Sequence, residues 1–113
     1  MEMEVTQVAN GIVNVALVGR LDTPGVDHIE MRFTAALVPR GLQAVVDLSR
    51  VEFVGSMALR MFISVGRALK QKHGKLVLYA PQPLVKQVFE TVSLNDIIPV
   101  QPDSAAALVA VRS

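Results

Sequence analysis

The run LQAVVDL, residues 42–48, constrains the fold of this chain more than any other stretch. It is short, continuous in apolar residues and closed by polar ones, which is the pattern of a strand buried on both faces. An amphipathic helix is predicted on each side of it, one starting at Thr23–Pro24 and ending by Pro39, the other running from Met57 to His73–Gly74. Strands separated by such helices need crossover connections, so the sequence predicts a parallel sheet covered by helices.

The remaining segments continue this alternation. Strand-like runs on either side of Asn10–Gly11 predict an antiparallel hairpin, because both residues tolerate the positive φ of a type I′ turn. Two more strands and two more helices follow: strands at residues 75–80 and 97–100, and helices opened by Pro81–Pro83 and by Pro102–Asp103. The predicted order is β-β-α-β-α-β-α-β-α. This is an α/β fold with a mixed, mostly parallel sheet, helices packed against it and an antiparallel edge strand.

Length and composition limit what the chain can do. With 113 residues, 51% of them hydrophobic, residues 1–113 fit a single domain. The 11 basic and 10 acidic residues nearly cancel and form no basic block, so no nucleic-acid partner is expected. The start MEMEVTQVANG lacks the pattern of a signal peptide, and no apolar run approaches the roughly 20 residues that span a bilayer. We therefore expect a cytoplasmic protein without a membrane partner.

Motifs for catalysis and cofactor binding are few. The chain has no cysteine and contains neither GxxxxGK[ST], GxGxxG nor GxSxG, so no cofactor is expected. His28 and His73 lack a partner at the spacing of a zinc pair, and no metal site is predicted. Asp22, Asp47 and Glu52 lie near predicted strand ends, where carboxylates commonly cap helices. A hydrolase that uses these carboxylates is a weaker alternative, because it requires two of them to converge in a deep pocket.

Ser56 lies where the buried strand region passes into the second helix, in VDLSRVEFVGSMALRMF. One interpretation makes it the N-cap, whose hydroxyl accepts a hydrogen bond from an early helical N–H, with Gly55 relaxing the turn. The other makes it a phosphorylation site, because the positive end of a helix favours a phosphate. The residue pattern by itself favours the cap.

Two motifs, in this order and spacing, carry a family resemblance. Gly19-Arg20-Leu21-Asp22 follows the second predicted strand, and Asp47-Leu48-Ser49-Arg50-Val51-Glu52-Phe53-Val54-Gly55-Ser56 precedes the second helix. Together with the element order, they make the chain resemble the STAS domain family, most of all its stand-alone bacterial anti-sigma factor antagonists. The resemblance covers essentially all 113 residues.

The resemblance implies a partner-switching protein that is not an enzyme. Such a protein, when unphosphorylated, binds an anti-sigma factor that is also a serine protein kinase, and phosphorylation ends that binding until a serine phosphatase restores it. Carried over by motif position, the phosphoacceptor is Ser56. The residues expected to bind the partner are Asp22, Thr23, Arg50, Glu52, Gly55, Ser56, Met57 and Arg60.

The sequence departs from the family motif around the acceptor. The family usually has Asp-Ser-Ser/Thr-Gly, whereas this chain has Gly55-Ser56-Met57-Ala58. Met57 either offers a partner an adaptable apolar contact or is tucked against the sheet. The altered residues motivate an alternative hypothesis: a STAS scaffold that is not phosphorylated and forms part of a larger sensory or transport assembly.

Overall fold

The computed structural model describes residues 1–113, and its elements follow the predicted order. The strands are β1 (Glu2–Ala9), β2 (Ile12–Leu21), β3 (Gln43–Val54), β4 (Lys75–Tyr79) and β5 (Val100–Gln101). The helices are α1 (Thr23–Leu37), α2 (Ser56–Gln71), α3 (Pro83–Thr91) and α4 (Ser104–Arg112), with a 3-10 turn at Leu94–Asp96 between α3 and β5.

The five strands form one sheet in the order β1-β2-β3-β4-β5. β1 pairs antiparallel with β2 at the edge, and the other pairs are parallel, as predicted. Helices α1, α2 and α3 cover one face over a core of 25 buried residues, within which the rings of Phe33 and Phe62 meet edge to face at 6.0 Å. Helix α4 covers part of the other face through Ala107 and Val111. The predicted α/β fold is confirmed.

The hairpin between β1 and β2 exists, but its turn is not of type I′. Gly11 is in the left-handed region with φ of +76°, whereas Asn10 is not. The strand register shifts between Gln7 and Ala9, and Ala9 then pairs with Ile12. Because a bulge of this kind increases the local twist, the chain reverses here with a single left-handed residue.

β3 extends six residues past Leu48, where the sequence pattern predicted its end. Ala16 pairs with Asp47 and Val18 pairs with Arg50, so β3 has one residue more than β2 between these two pairs. A second extra residue of β3 follows Val51. Each extra residue reverses the side-chain alternation, so the period of two is lost. The residues that β3 buries in the main core are Ala44, Val46, Leu48, Val51 and Val54.

The strand predicted at residues 97–100 was wrong, because most of that segment belongs to a turn. The Leu94 carbonyl accepts hydrogen bonds from the N–H groups of both Ile97 and Ile98, at 2.8 and 2.9 Å. Those two amides are therefore not available to the sheet, and β5 contains only Val100 and Gln101. Ile98 instead buries its side chain in the main core.

Helix α2 ends as predicted, and the reason for its terminal glycine is steric. His73 adopts the left-handed conformation with φ of 66°, and its N–H donates to the Lys70 carbonyl at 3.2 Å, while the Gly74 N–H donates to the Leu69 carbonyl at 2.8 Å. These bonds form a Schellman motif. A Cβ at residue 74 would lie only 2.5 Å from the Leu42 carbonyl oxygen, so the close approach of the two chain segments requires glycine.

Replacing two glycines of this region is expected to have opposite effects. Gly74→Ala should lower the free energy of unfolding by about 2 kcal/mol or more, since the backbone of Leu42 has to move. Gly66→Ala, within α2, should leave it unchanged or raise it by about 0.5–1 kcal/mol, because Ala favours a helix over Gly and the new Cβ meets Ile98 at an ordinary 3.4 Å. Urea unfolding measures both, and the reverse order would contradict the packing described here.

The side chain of Tyr79 provides a second test of the fold. Its ring is buried beneath α4 and its hydroxyl bonds to the Asn14 side chain. Burial, and to a lesser extent the Asp47 carboxylate, raise the pKa of Tyr79 above its ordinary value of 10.0. The folded protein thus keeps the phenol neutral at a pH where the unfolded chain ionises, so stability should fall as the pH rises through that raised pKa.

Because Tyr79 is the only tyrosine, the tyrosinate absorbance follows its titration directly. We expect a midpoint above 10.0 in the folded protein, and Tyr79→Phe should lose less stability than the wild type between neutral and alkaline pH. A midpoint at or below the ordinary value would contradict the burial of this side chain.

Candidate functional site

The register of β2 and β3 brings the two sequence motifs together at one edge of the sheet. Leu21 pairs with Val54, and the Gly55 N–H donates to the Leu21 carbonyl at 3.0 Å. Both strands end here and both continue directly into helices. The starts of α1 and α2 therefore lie side by side, with Asp22 and Thr23 next to Gly55 and Ser56. We call this region the carboxyl edge.

Asp22 fixes the start of α1 at the carboxyl edge. It is the N-cap, and its Oδ1 accepts a hydrogen bond from the Gly25 N–H at 2.9 Å. Its Oδ2 lies 3.6 Å from Arg20 Nε in an exposed ion pair. Thr23 is therefore the first helical residue and Pro24 the second, whereas the sequence pattern indicated Pro24 as the first.

The interpretation of Ser56 as an N-cap was wrong. The N-cap of α2 is Gly55, whose extended backbone is held by its bond to Leu21. The Gly55 carbonyl accepts the N–H groups of Ala58 and Leu59, which starts the helix one residue before Ser56 could cap it. Ser56 is instead the first helical residue, and none of the side-chain hydrogen bonds involves its hydroxyl. The side chain is exposed to solvent.

Arg20 and Phe53 are also part of the carboxyl edge, although neither is among the eight residues named above as expected to bind the partner. The Arg20 guanidinium lies 4.7 Å from the centre of the Phe53 ring, and 39% of Phe53 is exposed. A Cβ at residue 55 would lie 3.3 Å from the ring. Any side chain in place of Gly55 would press on the Phe53 ring.

The other predicted partner-binding residues are divided between this edge and its surroundings. Arg60 is exposed one turn beyond Ser56 on α2. Met57 is half-buried and packs against the main core, which agrees with its being tucked in. Glu52 lines a groove of about 540 Å³ between β3 and α3, to which Phe53 also contributes. Arg50 is exposed and lies further back along β3, opposite Val18.

The three strand-end carboxylates do not converge. Asp22 caps α1, and Asp47 accepts a hydrogen bond from the Ser49 N–H at 2.9 Å. Glu52 lies in the groove beside α3, whose lining includes neither Asp22 nor Asp47, and the pocket lined by Asp22 includes neither Asp47 nor Glu52. The convergence that a hydrolase built on these carboxylates requires is therefore not found. No group of three His, Asp or Glu side chains is placed to hold a metal ion.

Comparisons with known proteins agree with this arrangement. The STAS domain profile matches residues 4–107. BtrV of Bordetella bronchiseptica, a candidate anti-sigma factor antagonist, is 29% identical over 104 residues, which cover 92% of this chain and 90% of BtrV. The crystal structure of an anti-sigma factor antagonist from Mycobacterium paratuberculosis has a TM-score of 0.86 at 26% identity, over 99% of this chain and 94% of that one.

The structure of unphosphorylated SpoIIAA, an anti-sigma factor antagonist, has the same fold. It gives a TM-score of 0.77 at 22% identity and covers 98% of this chain and 96% of SpoIIAA. A mixed sheet with two helix starts joined at its carboxyl edge defines a small α/β domain of one fold family. This chain belongs to the STAS domain family. Its four α-helices are all too short or too polar to cross a membrane.

The role of Asp22 at the carboxyl edge can be separated into capping and ion pairing. Asp22→Ala should lower the free energy of unfolding by about 1 kcal/mol, because the Gly25 N–H loses its acceptor. Asp22→Asn should cost less than half as much, since an amide oxygen can still cap and an exposed ion pair contributes little.

Asp103 offers a matched control, because it caps α4 in the same way and accepts the Ala106 N–H at 2.8 Å. Asp103→Ala should cost as much as Asp22→Ala, and urea unfolding compares them. If Asp22→Asn were as destabilising as Asp22→Ala, the ion pair with Arg20 and not the cap would hold this turn.

Proposed function

We propose that this protein is an anti-sigma factor antagonist that acts by partner switching. In the unphosphorylated state it binds an anti-sigma factor that is also a serine protein kinase, and phosphorylation of Ser56 releases it. A serine phosphatase resets the cycle. The observation that carries this proposal is the exposed Ser56 hydroxyl, which is free of intramolecular hydrogen bonds at the start of α2.

The surroundings of Ser56 suit a reversible phosphate. Phosphorylation adds between one and a half and two negative charges at neutral pH. The first turn of α2 contains no acidic residue to repel them, and Gly55 has no side chain that occupies the free N–H groups of that turn. Arg60 lies four residues further along, at the spacing of neighbouring side chains on a helix. A phosphate at Ser56 can therefore be held without unfolding α2.

The relatives support a switch that leaves the fold in place. SpoIIAA has been solved in a phosphorylated form as well as the unphosphorylated one, and both have the fold of this chain, with TM-scores of 0.72 and 0.77. We infer that here too the phosphate acts as a local charge at the interface. A buried phosphate without cationic partners is costly through desolvation and repulsion, so a few kcal/mol of differential binding suffice to release the partner.

In this proposal the protein is a substrate and a ligand of other proteins and has no catalytic residues of its own. Gly55 replaces the carboxylate that usually precedes the acceptor, and the Phe53 ring lies beside it. The partner kinase would then recognise an apolar ring and the Arg20 guanidinium stacked on it, where relatives present an acid. This difference favours a kinase specific to this antagonist.

The phosphorylation site is tested with the cognate kinase, ATP and three proteins. Wild type and Ser104→Ala should each take up about one phosphate, while Ser56→Ala should take up none. Ser104 is a matched control because it too is an exposed first residue of a helix, α4, on the other face of the sheet. Uptake by Ser56→Ala equal to wild type would remove Ser56 as the acceptor.

The switch itself is tested by the affinity of Ser56→Asp for the unphosphorylated partner. We expect a loss of at least about tenfold, which is about 1.4 kcal/mol, with Ser104→Asp unchanged. Equal binding by Ser56→Asp and wild type, together with no phosphate uptake, would favour the alternative of an unphosphorylated STAS scaffold. Isothermal titration calorimetry measures both variants.

A further inference from the structure

A groove of about 710 Å³ runs along α2 from Ser56 to Gln71. Its floor is apolar and is formed by Leu59 and Ile63 of α2 together with Val92, Leu94 and Ile97 from the end of α3 and the 3-10 turn. Val92 and Ile97 are 47% and 52% exposed. Apolar side chains arranged in this way are typical of surfaces that bind a partner. We call this feature the α2 groove.

The rim of the α2 groove carries positive charge only. Arg60 and Arg67 line it, and no acidic residue does so. Helix α2 as a whole contains Arg60, Arg67 and Lys70 and neither Asp nor Glu, although the entire chain is almost neutral. The single ion pair of the structure joins Arg20 to Asp22, so Arg60 and Arg67 have no carboxylate partner within the chain. Both guanidinium groups are therefore available to pair with negative groups of a binding partner.

The length and shape of the groove indicate what fits. Helix α2 has 16 residues and is about 24 Å long, or somewhat more than four turns. A helix laid in a groove inserts one apolar stripe and places its flanking polar residues along the rims. Complementarity with Arg60 and Arg67 then requires Asp or Glu at those flanking positions.

We propose that the α2 groove binds an acidic amphipathic helix of the protein partner, with Arg60 and Arg67 pairing with its carboxylates. The inference rests on the proposed function for the identity of the partner, but binding of a helix to the unmodified groove does not require that Ser56 can be phosphorylated. Val92 and Ile97 supply the apolar contact opposite α2.

Arg60 gives the groove a direct connection to Ser56. Both residues line it, and they are separated by one helical turn. In the unphosphorylated protein Arg60 is free to pair with a carboxylate of the bound helix. A phosphate at Ser56 would attract the same guanidinium within α2 and would also repel an acidic helix. Competition for Arg60 thus converts the modification into loss of partner binding.

The probe is a synthetic peptide of about four helical turns, with a leucine stripe flanked by Glu, and fluorescence anisotropy measures its binding to the full-length protein. The comparison peptide carries Lys in place of every Glu. We expect the Glu peptide to bind at least about tenfold more tightly than the Lys peptide, and to lose affinity as salt is added.

Matched variants locate the binding in the groove. Arg60→Gln and Arg67→Gln should each lower the affinity for the Glu peptide about three- to tenfold, whereas Lys70→Gln should change that affinity less than twofold. Lys70 is on the same helix but does not line the groove. Ile97→Ser should weaken binding, while Val109→Ser, an exposed valine on α4, should not.

The role of Arg60 is tested by combining variants. Ser56→Asp should weaken binding of the Glu peptide when Arg60 is present. The loss of binding free energy that it causes should be at least halved in the Arg60→Gln background. Equal effects of Ser56→Asp in both backgrounds would contradict a competition for Arg60.

Four results would overturn the proposal. Equal binding of the Glu and Lys peptides would remove the charge requirement, and equal losses for Lys70→Gln and Arg67→Gln would remove the groove. Self-association that Ile97→Ser abolishes would assign the groove to a second copy of this chain. Tight binding to vesicles of anionic lipid, with none to the Glu peptide, would assign it to a lipid surface. A failure of Ser56 to accept phosphate would leave the peptide results intact, so the two proposals fail separately.

Discussion

The site depends on the parallel pairing of β2 with β3, and in particular on its last contacts. The buried residues Leu21 and Val54 face each other, and the Gly55 N–H binds the Leu21 carbonyl immediately afterwards. These contacts end both strands at the same level, so α1 and α2 begin side by side. The two helices are then held by the edge-to-face contact of Phe33 with Phe62 in the core below. Ser56 is therefore presented on a rigid support.

The Ser56 hydroxyl makes no hydrogen bond within the chain because Gly55, and not Ser56, is the N-cap of α2. In the N-cap position a serine side chain would be occupied by a backbone N–H. With glycine as the cap, the helix starts without a side-chain acceptor and the hydroxyl one residue later remains exposed. The same glycine leaves space for the Phe53 ring, on which Arg20 stacks. The departure from the family motif thus places glycine, beside an apolar and cationic surface, where the family usually has a carboxylate, while the serine that we propose as the acceptor is kept.

Element order, the antiparallel edge and the grouping of the two motifs could all be predicted from the sequence, because each depends on local apolar patterns and on the rule for parallel crossovers. The extent of β3 could not, since two extra residues interrupt the alternation that identifies a strand. The exposure of Phe53 was not predicted either, because the same two extra residues change which face of the sheet it lies on. The cap of α2 was missed because Ser is usually the better cap than Gly, and a tertiary bond from Gly55 to Leu21 overrides that preference. The α2 groove could not be predicted, because it depends on the 3-10 turn at Leu94–Asp96 and on Ile97 directly after it, and Ile97 was predicted to begin a strand.

The central claim is that a phosphate at Ser56 changes the charge of one edge and leaves the fold intact. The most direct measurement compares the amide nitrogen–proton NMR spectra of the unmodified and the Ser56-phosphorylated protein. The expected shifts are confined to the start of α1, residues 53–60 and the Arg60 side chain, with β4 and α4 unchanged. Shifts that spread through the core around Phe33 and Phe62, or an Arg60 side chain that does not respond, would contradict a local charge switch.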